Sequence, residues 1–362
     1  MNEITIFLDT SPLVNENSGR GVGMYTRFLA AELEQVNNLK VIQLESSAER
    51  KSQKILKAKV AGSQSLVHYP YFDLFFPTLP FFRGSKSVVT VHDVIPLKFP
   101  KQYPPGKKGK LTFFRQLLSL RKADAIITDS LSSKEDIVKH LHIRREKIHV
   151  VYLAANPELQ QPEEKVLLTT MKKYQLPKEY VLYVGDINYN KNIPQLIKAM
   201  KYFPPHLHLV CVGRNFIPQD IPEWKAIETQ LALSNVLDRV HFLTELSAAA
   251  TNELAAVYAG AQVYVQPSLY EGFGLPILEA MQCRTPVVAV RSSSLVEVGG
   301  EVAEYVEDDA ESLANGIKQV LSWSKTRREE RVRAGYKWSK EFSWAKTALE
   351  TVKVYHSLFP SK

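Results

Sequence analysis

Apolar runs of four to six residues, rich in β-branched side chains, alternate along this chain with longer stretches of helical periodicity. In the first half the runs are ITIFL (4–8), KVIQL (40–44), SLVHY (65–69), SVVTV (87–91), AIIT (125–128) and IHVVYL (148–153). In the second half they are YVLYVG (180–185), LHLVCVG (207–213), RVHFL (239–243), QVYVQP (262–267) and TPVVAV (285–290). Between them lie amphipathic stretches such as VGMYTRFLAAELEQV (22–36), NIPQLIKAM (192–200) and ELAAVYAG (253–260). Short, nearly continuous apolar strands separated by helices predict parallel sheets covered on both faces. Two such series predict an α/β protein of two doubly wound, Rossmann-like domains.

The seam falls in AANPELQQPEEK (154–165), which is polar and carries two prolines. The expected division is residues 1–160, residues 161–340, and a last helix within 341–362. That helix places Trp344, Ala348, Val352 and Tyr355 at helical spacing. At 362 residues the chain suits about two domains on a prior of roughly 150 residues each. Cys211 and Cys283 are the only cysteines, each inside an apolar run, which argues for a reducing compartment and against a disulfide framework. The opening MNEITIFLDTSP lacks the features of a signal peptide, and no run approaches the roughly 20 apolar residues of a membrane span. A cytoplasmic protein is expected.

The formal net charge of +8 is not spread evenly. Residues 101–122 hold Lys101, Lys107, Lys108, Lys110, Arg115, Arg121 and Lys122 with no acid, just after the aromatic stretch YFDLFFPTLPFF (71–82). Basic and aromatic groups side by side suit an anionic membrane surface or a polyanion, and equally a solvated basic helix beside a packed loop.

Ligands of doubly wound sheets bind outside the carboxyl ends of the strands, so the informative residues should follow strands. After the strand that stops at Pro267 comes SLYEGFGLPILEAMQCRTPVV, with Glu271 and Glu279 eight positions apart. Gly272 and Gly274 allow a tight turn, and Pro276 suits the start of a helix whose amides, with those of Gly274 and Leu275, can meet a diphosphate. The carboxylates suit neutral hydroxyls, with Glu279 expected in the first turn. On spacing alone, Glu271 reads equally well as a loop acid and Glu279 as a partner of the helix dipole. Lys191 follows the strand ending at Gly185 and offers a point charge to a phosphate. His92 and Asp93 follow SVVTV, and Gly19, Gly21 and Gly23 form a glycine-bearing loop that does not fit a dinucleotide fingerprint. No P-loop, HExxH, paired CxxC, GxSxG or Asp-x-Asp occurs, so phosphate charge falls to amides, Lys191 and helix ends, and no metal is expected.

Taken together, GRGVGMYTRFL, TVHDVIPLKFP, ADAIITDSLSSKEDI, YVGDINYNKN, PSLYEGFGLPILEAMQCRTPVV and FSWAKTA resemble the retaining glycosyltransferases of family 4, nearly end to end. The resemblance implies the GT-B fold: two Rossmann-like domains facing a central cleft, the last helix crossing back to the first. It implies a GDP- or UDP-linked sugar donor on the second domain and a glycan or lipid-linked acceptor on the first. Nucleic acid is not an expected partner, and the basic and aromatic stretch leaves peripheral contact with an anionic membrane open beside the solvated-helix reading. Glu271 resembles the acid contacting the transferred sugar, Glu279 the acid holding the ribose, and His92 the histidine lining the sugar pocket. With Lys191 on the diphosphate, Glu271 and His92 form the implied catalytic set. Donor contacts fall to Gly21, Gly23, Gly185, Lys191, Gly272, Phe273, Gly274, Leu275 and Glu279. The family reaction keeps the anomeric configuration, with the departing phosphate helping to deprotonate the acceptor. Two positions depart from the family pattern: Asp186 replaces an arginine, and Arg284 replaces a glycine before Thr285-Pro286. A non-catalytic glycan- or membrane-binding module, or a sugar-nucleotide epimerase, is the competing expectation.

Overall fold

The computed structural model describes residues 3–14, 21–45, 64–80, 85–246 and 250–359. The chain divides into two compact units, Met1–Leu153 with Ser343–Lys362, and Ala154–Phe342. Gly19 and the end of the 71–82 aromatic stretch lie outside the described residues.

The first unit is built on β1 (Ile4–Asp9), β2 (Leu39–Leu44), β3 (Gln64–Tyr69), β4 (Lys86–Thr90), β5 (Ala125–Thr128) and β6 (Ile148–Val150). Every neighbouring pair is parallel, in the order β2-β1-β3-β4-β5-β6. The second unit uses β7 (Tyr180–Val184), β8 (His208–Val212), β9 (Val240–Leu243), β10 (Val263–Gln266), β11 (Val287–Val290) and β12 (Glu304–Val306). Their order is β12-β11-β10-β7-β8-β9, again parallel throughout. The central strands are buried along almost their whole length, as β-branched runs without alternation require when both faces are covered. The strand β12 has no counterpart among the runs read above. It is a three-residue edge strand, only partly buried, and so leaves no apolar signature.

In each sheet the chain order reverses beside the first strand, between β1 and β3 and between β7 and β10. Loops leaving the carboxyl ends of these two strands depart to opposite faces, which opens a crevice there.

The helix Trp344–Ser357 belongs to the first unit and packs on the helix Gly21–Leu33. Its start is capped by the Ser343 hydroxyl, which accepts from the Lys346 amide at 3.2 Å. Trp344, Ala348, Val352 and Tyr355, the stripe read from the sequence, are all buried. Trp344 stacks obliquely on Phe28 at 5.2 Å. Tyr355 reaches a buried polar chain: its hydroxyl meets His68 Nδ1 at 2.7 Å, His68 Nε2 meets Thr90 Oγ1 at 2.8 Å, and Thr90 Oγ1 meets the Tyr25 hydroxyl at 3.0 Å. Burial lowers the pKa of His68 to about 3, so the ring is neutral, with one donating and one accepting nitrogen. Each member of the chain therefore depends on its neighbour for satisfaction. Tyr355→Phe leaves a buried imidazole nitrogen without its partner and is expected to cost about 1–3 kcal/mol. A lowered urea midpoint, with unchanged far-UV circular dichroism of the folded protein, is the measurement that checks it.

Candidate active site

The loop after β7 carries Lys191 and the loop after β10 carries Glu271, so the two residues arise on either side of the crevice in the second sheet. They meet directly. Lys191 Nζ donates to both oxygens of Glu271, at 2.7 and 2.8 Å. The pair is largely buried, with side chains 20% and 9% exposed. Burying two charges is costly unless the remaining lone pairs are satisfied. Here Gln266 Nε2 and the Ser268 hydroxyl also donate to Glu271 Oε1, at 2.8 and 2.7 Å. The Tyr264 hydroxyl donates to the Gln266 carbonyl, fixing which way that amide faces. Burial raises the pKa of Tyr264 well above the phenol range, so it is a dependable donor.

Backbone contacts hold the two loops in register. Asn190 donates from Nδ2 to the Tyr270 carbonyl at 2.9 Å, and the Leu269 amide donates back to the Asn190 carbonyl at 2.8 Å. Asn192, in left-handed backbone at φ +56°, donates to the Pro267 and Asp308 carbonyls. A serine run after β11 supports the other flank. The Glu271 amide donates to Ser293 Oγ at 2.9 Å, and the Ser294 hydroxyl contacts the Glu271 and Phe273 carbonyls at 2.9 and 2.8 Å. Gln266, Ser268, Asn190, Asn192, Ser293 and Ser294 were not singled out from the sequence. The polar spellings NYNKN and RSSS, each following an apolar strand, were the available signals.

Between the two glutamates the chain turns at Gly274, whose φ is +106°. A Cβ there would sit 2.8 Å from the Leu295 side chain, so glycine is required by both backbone and space. The helix Leu275–Gln282 starts directly after, with Pro276 in its first two positions. Gly272, Phe273 and the start of this helix thus lie beside Glu271 in one loop. Glu279 is the fifth residue of the helix rather than part of its first turn as expected, because the helix begins only at Leu275. It is buried, and its Oε2 accepts from the Tyr258 hydroxyl at 2.8 Å. Burial raises its pKa to about 7, the Tyr258 hydrogen bond opposing this in part.

The two departures from the family pattern acquire local explanations. Asp186 Oδ1 accepts from Asn215 Nδ2 at 2.5 Å and from the Ile187 amide at 2.9 Å, tying the loop after β7 to the loop after β8. These loops approach so closely that a side chain at Gly213 would strike the Gly185 carbonyl. Arg284 ends the Leu275–Gln282 helix in left-handed backbone at φ +62°. The Arg284 and Thr285 amides donate to the Met281 and Ala280 carbonyls, the pattern that usually places glycine at this position. Its guanidinium lies 4.4 Å from the centre of the Tyr336 ring, which offsets part of the strain.

His92, Gly21 and Gly23 belong to the first unit. Gly21 and Gly23 open the Gly21–Leu33 helix, Gly21 exposed and Gly23 buried. His92 follows β4 and is largely buried, its ring edge-on to Tyr25 at 4.9 Å. Nδ1 meets Asp129 Oδ2 at 2.7 Å and Nε2 meets the Pro70 carbonyl at 3.1 Å. Burial opposes the charged ring, but two acceptors on its two nitrogens, helped by Asp93, raise its pKa above the ordinary value. Among the described residues no group of three or more His, Cys, Asp or Glu side chains could hold a metal ion.

Two measurements test these local accounts. Glu279 carries a carboxyl of about 4.5 when unfolded and about 7 when folded, so the folded state binds the extra proton between those values. Stability from this group is therefore present below pH 4.5 and lost as pH rises to 7, by on the order of 3 kcal/mol. Glu279→Gln keeps an acceptor for Tyr258 and is expected to stabilise the protein more at pH 8 than at pH 5 in paired thermal melts. At position 284, Arg284→Gly is expected to stay within about 1 kcal/mol of the parent, whereas Arg284→Val loses about 1–2 kcal/mol to backbone strain. Urea unfolding of the two variants side by side reads the difference.

Comparison with known proteins gives the family and the fold. The family described as "Glycosyl transferases group 1" matches residues 169–338, and "Glycosyltransferase Family 4" matches residues 48–159. The O-antigen chain mannosyltransferase B of Escherichia coli is 30% identical over 287 residues, covering 76% of this chain and 71% of that protein. Among solved structures, sucrose-phosphate synthase from Thermosynechococcus elongatus superposes with a TM-score of 0.73 at 22% identity, over 99% of each chain. Anabaena HepE, solved in complex with UDP and glucose, gives 0.73 at 18% identity, over 98% of this chain and 100% of that one. Such distant structures establish the fold, and the fold is GT-B. With two family descriptions spanning both units and a relative matched over most of its length, the chain belongs to the family 4 glycosyltransferases, which are retaining enzymes.

Proposed function

We propose that this enzyme transfers a hexose, mannose in the first instance, from a nucleoside-diphosphate sugar to a glycan or lipid-linked acceptor during synthesis of a surface polysaccharide. The first unit would take the acceptor and the second the donor, on the cytoplasmic side of the membrane. The observation that carries this reading is the Lys191–Glu271 pair across the β7/β10 crevice, beside the Gly274 turn and its helix start. Lys191 has three N–H donors and gives two to Glu271, leaving one to face a phosphate oxygen. Glu271 Oε1 accepts three of its four contacts, so Oε2 retains capacity for a sugar hydroxyl. The Gly272–Leu275 backbone, with Gly185 opposite, would face the diphosphate, and Glu279 the ribose. Gly21, Gly23 and His92, all on the first unit, are kept as candidate contacts on the family resemblance alone. Stabilisation of the leaving diphosphate by such fixed donors is the main source of rate expected in a transfer of this kind.

Mannose is preferred because a relative 30% identical and covered over 71% of its length is named an O-antigen chain mannosyltransferase. The glucose and UDP bound by HepE keep UDP-linked hexoses as the comparison donors.

A thermal-shift series across GDP-mannose, UDP-glucose and their free nucleotides, followed by assay of released nucleoside diphosphate, tests the proposal. The expected result is stabilisation and slow turnover with GDP-mannose. Stabilisation by UDP-glucose alone would reassign the sugar, and no response to any nucleoside-diphosphate hexose would overturn the reading. Glu271→Ala and Lys191→Ala are each expected to reduce turnover by roughly a hundredfold or more while retaining a cooperative melt. Near-parental rates in both would remove these residues from the site.

A further inference from the structure

The helix Gly106–Arg121 of the first unit is apolar on two opposite faces. One face is accounted for: Gly109, Gln116, Ser119 and Leu120 are buried, and Phe113 and Leu117 pack against the core. The other face is not. Leu111 is 57% exposed and Phe114 is 59% exposed. At about 100° per residue, Leu111, Phe114 and Leu118 fall within an arc of about 60°, on the side away from the buried residues. Lys110 and Arg121 flank this ridge on one side, Lys108, Arg115 and Lys122 on the other, and Lys107 lies on its line. All six cations are exposed.

A second exposed aromatic stands beside the helix. Phe76 is 69% exposed, in a loop whose conformation is imposed by side-chain bonds. Asp73 Oδ1 accepts from the Phe75 and Phe76 amides at 2.7 and 2.9 Å. Gln116, from the buried face of the helix, accepts from the Thr78 and Leu79 amides and donates to the Leu79 carbonyl. Phe75 rests against Phe113, with ring centroids 6.3 Å apart. The loop is thus stapled to the buried face of the helix, and Phe76 on it faces solvent.

An apolar ridge edged by cations, with no acid from residue 101 to residue 122, matches the layering of a bilayer surface. Apolar tips enter the acyl boundary while lysine and arginine heads meet lipid phosphates. A nucleic acid would use the cations but gains little from solvent-facing Leu111 and Phe114. We infer that the outward face of the Gly106–Arg121 helix docks this protein on an anionic membrane surface. No helix among the described residues is long and apolar enough to cross a membrane; the attachment proposed for this face is peripheral. The inference deepens the reading of a lipid-linked acceptor by naming the surface that brings the enzyme to it. Its test reads vesicle binding rather than turnover, so either reading can fail alone.

The experiment is co-sedimentation with phosphatidylcholine vesicles, with and without phosphatidylglycerol, at low and high salt. Two variant sets are compared, Leu111→Ser with Phe114→Ser, and Lys107→Glu with Lys108→Glu and Lys110→Glu. Binding is expected only with phosphatidylglycerol, weakened by salt and at least tenfold weaker in each set. The substituted residues are solvent-facing, and the donor-induced thermal shift of each set should match the parent. Failure of the parent to bind anionic vesicles overturns the inference, as does binding that survives both sets. If the apolar set instead converts a self-associated parent to monomer in analytical ultracentrifugation without vesicle binding, the face is an interface between copies and the membrane assignment falls.

Discussion

The Lys191–Glu271 ion pair is the contact around which the second unit is organised. A doubly wound sheet must reverse its winding somewhere, and here it does so between β7 and β10. The reversal leaves loop backbones that no neighbouring helix covers. Two opposite charges placed there would be expensive alone, and the surrounding amides, hydroxyls and the Gln266 carboxamide make the pair tolerable. The cost of partial burial serves as pre-organisation. A carboxylate and an ammonium already fixed against each other need little rearrangement when a ligand carries phosphate and hydroxyl groups of its own.

The buried Glu279 shows a different use of low dielectric. It lies on the same helix as the Gly274 turn, yet its partner is a tyrosine hydroxyl and not a cation. Its protonation is consequently set by burial, which raises its pKa to about 7. One short segment thus carries two carboxyls in contrasting environments, one paired with charge and one with a neutral donor.

Much of this was legible in the chain. Parallel strands buried on both faces write themselves as β-branched runs, and the AIIT run coincides with β5. Glycines at 272 and 274 announced a tight turn, in which Gly274 takes a positive φ, and Trp344, Ala348, Val352 and Tyr355 announced a buried helix face. The illegible parts share one physical cause: they depend on partners far apart in sequence. Asp129 lies 37 positions from His92, and nothing local indicates that it meets Nδ1. Asn215 pins Asp186 from the next strand's loop. Arg284 was hard to account for as a ligand contact because its role is conformational. It closes a helix in a backbone form that side chains disfavour, with Tyr336 beneath it. The edge strand β12 escaped notice because three half-exposed residues carry too little hydrophobic signal.

The first unit is discontinuous, since Ser343–Lys362 completes a body begun at residue 1 while Ala154–Phe342 folds within itself. A ribosome delivers the whole second unit before it delivers Tyr355. Until then the imidazole of His68 has only Thr90 for company, and Tyr25 and Phe28 face no tryptophan. The order of maturation is therefore reversed relative to the order of synthesis. The second unit can close while still tethered, and the first stays open at its core until the last helix arrives. For a nascent chain, that makes the earlier-made half the one that needs sheltering longest.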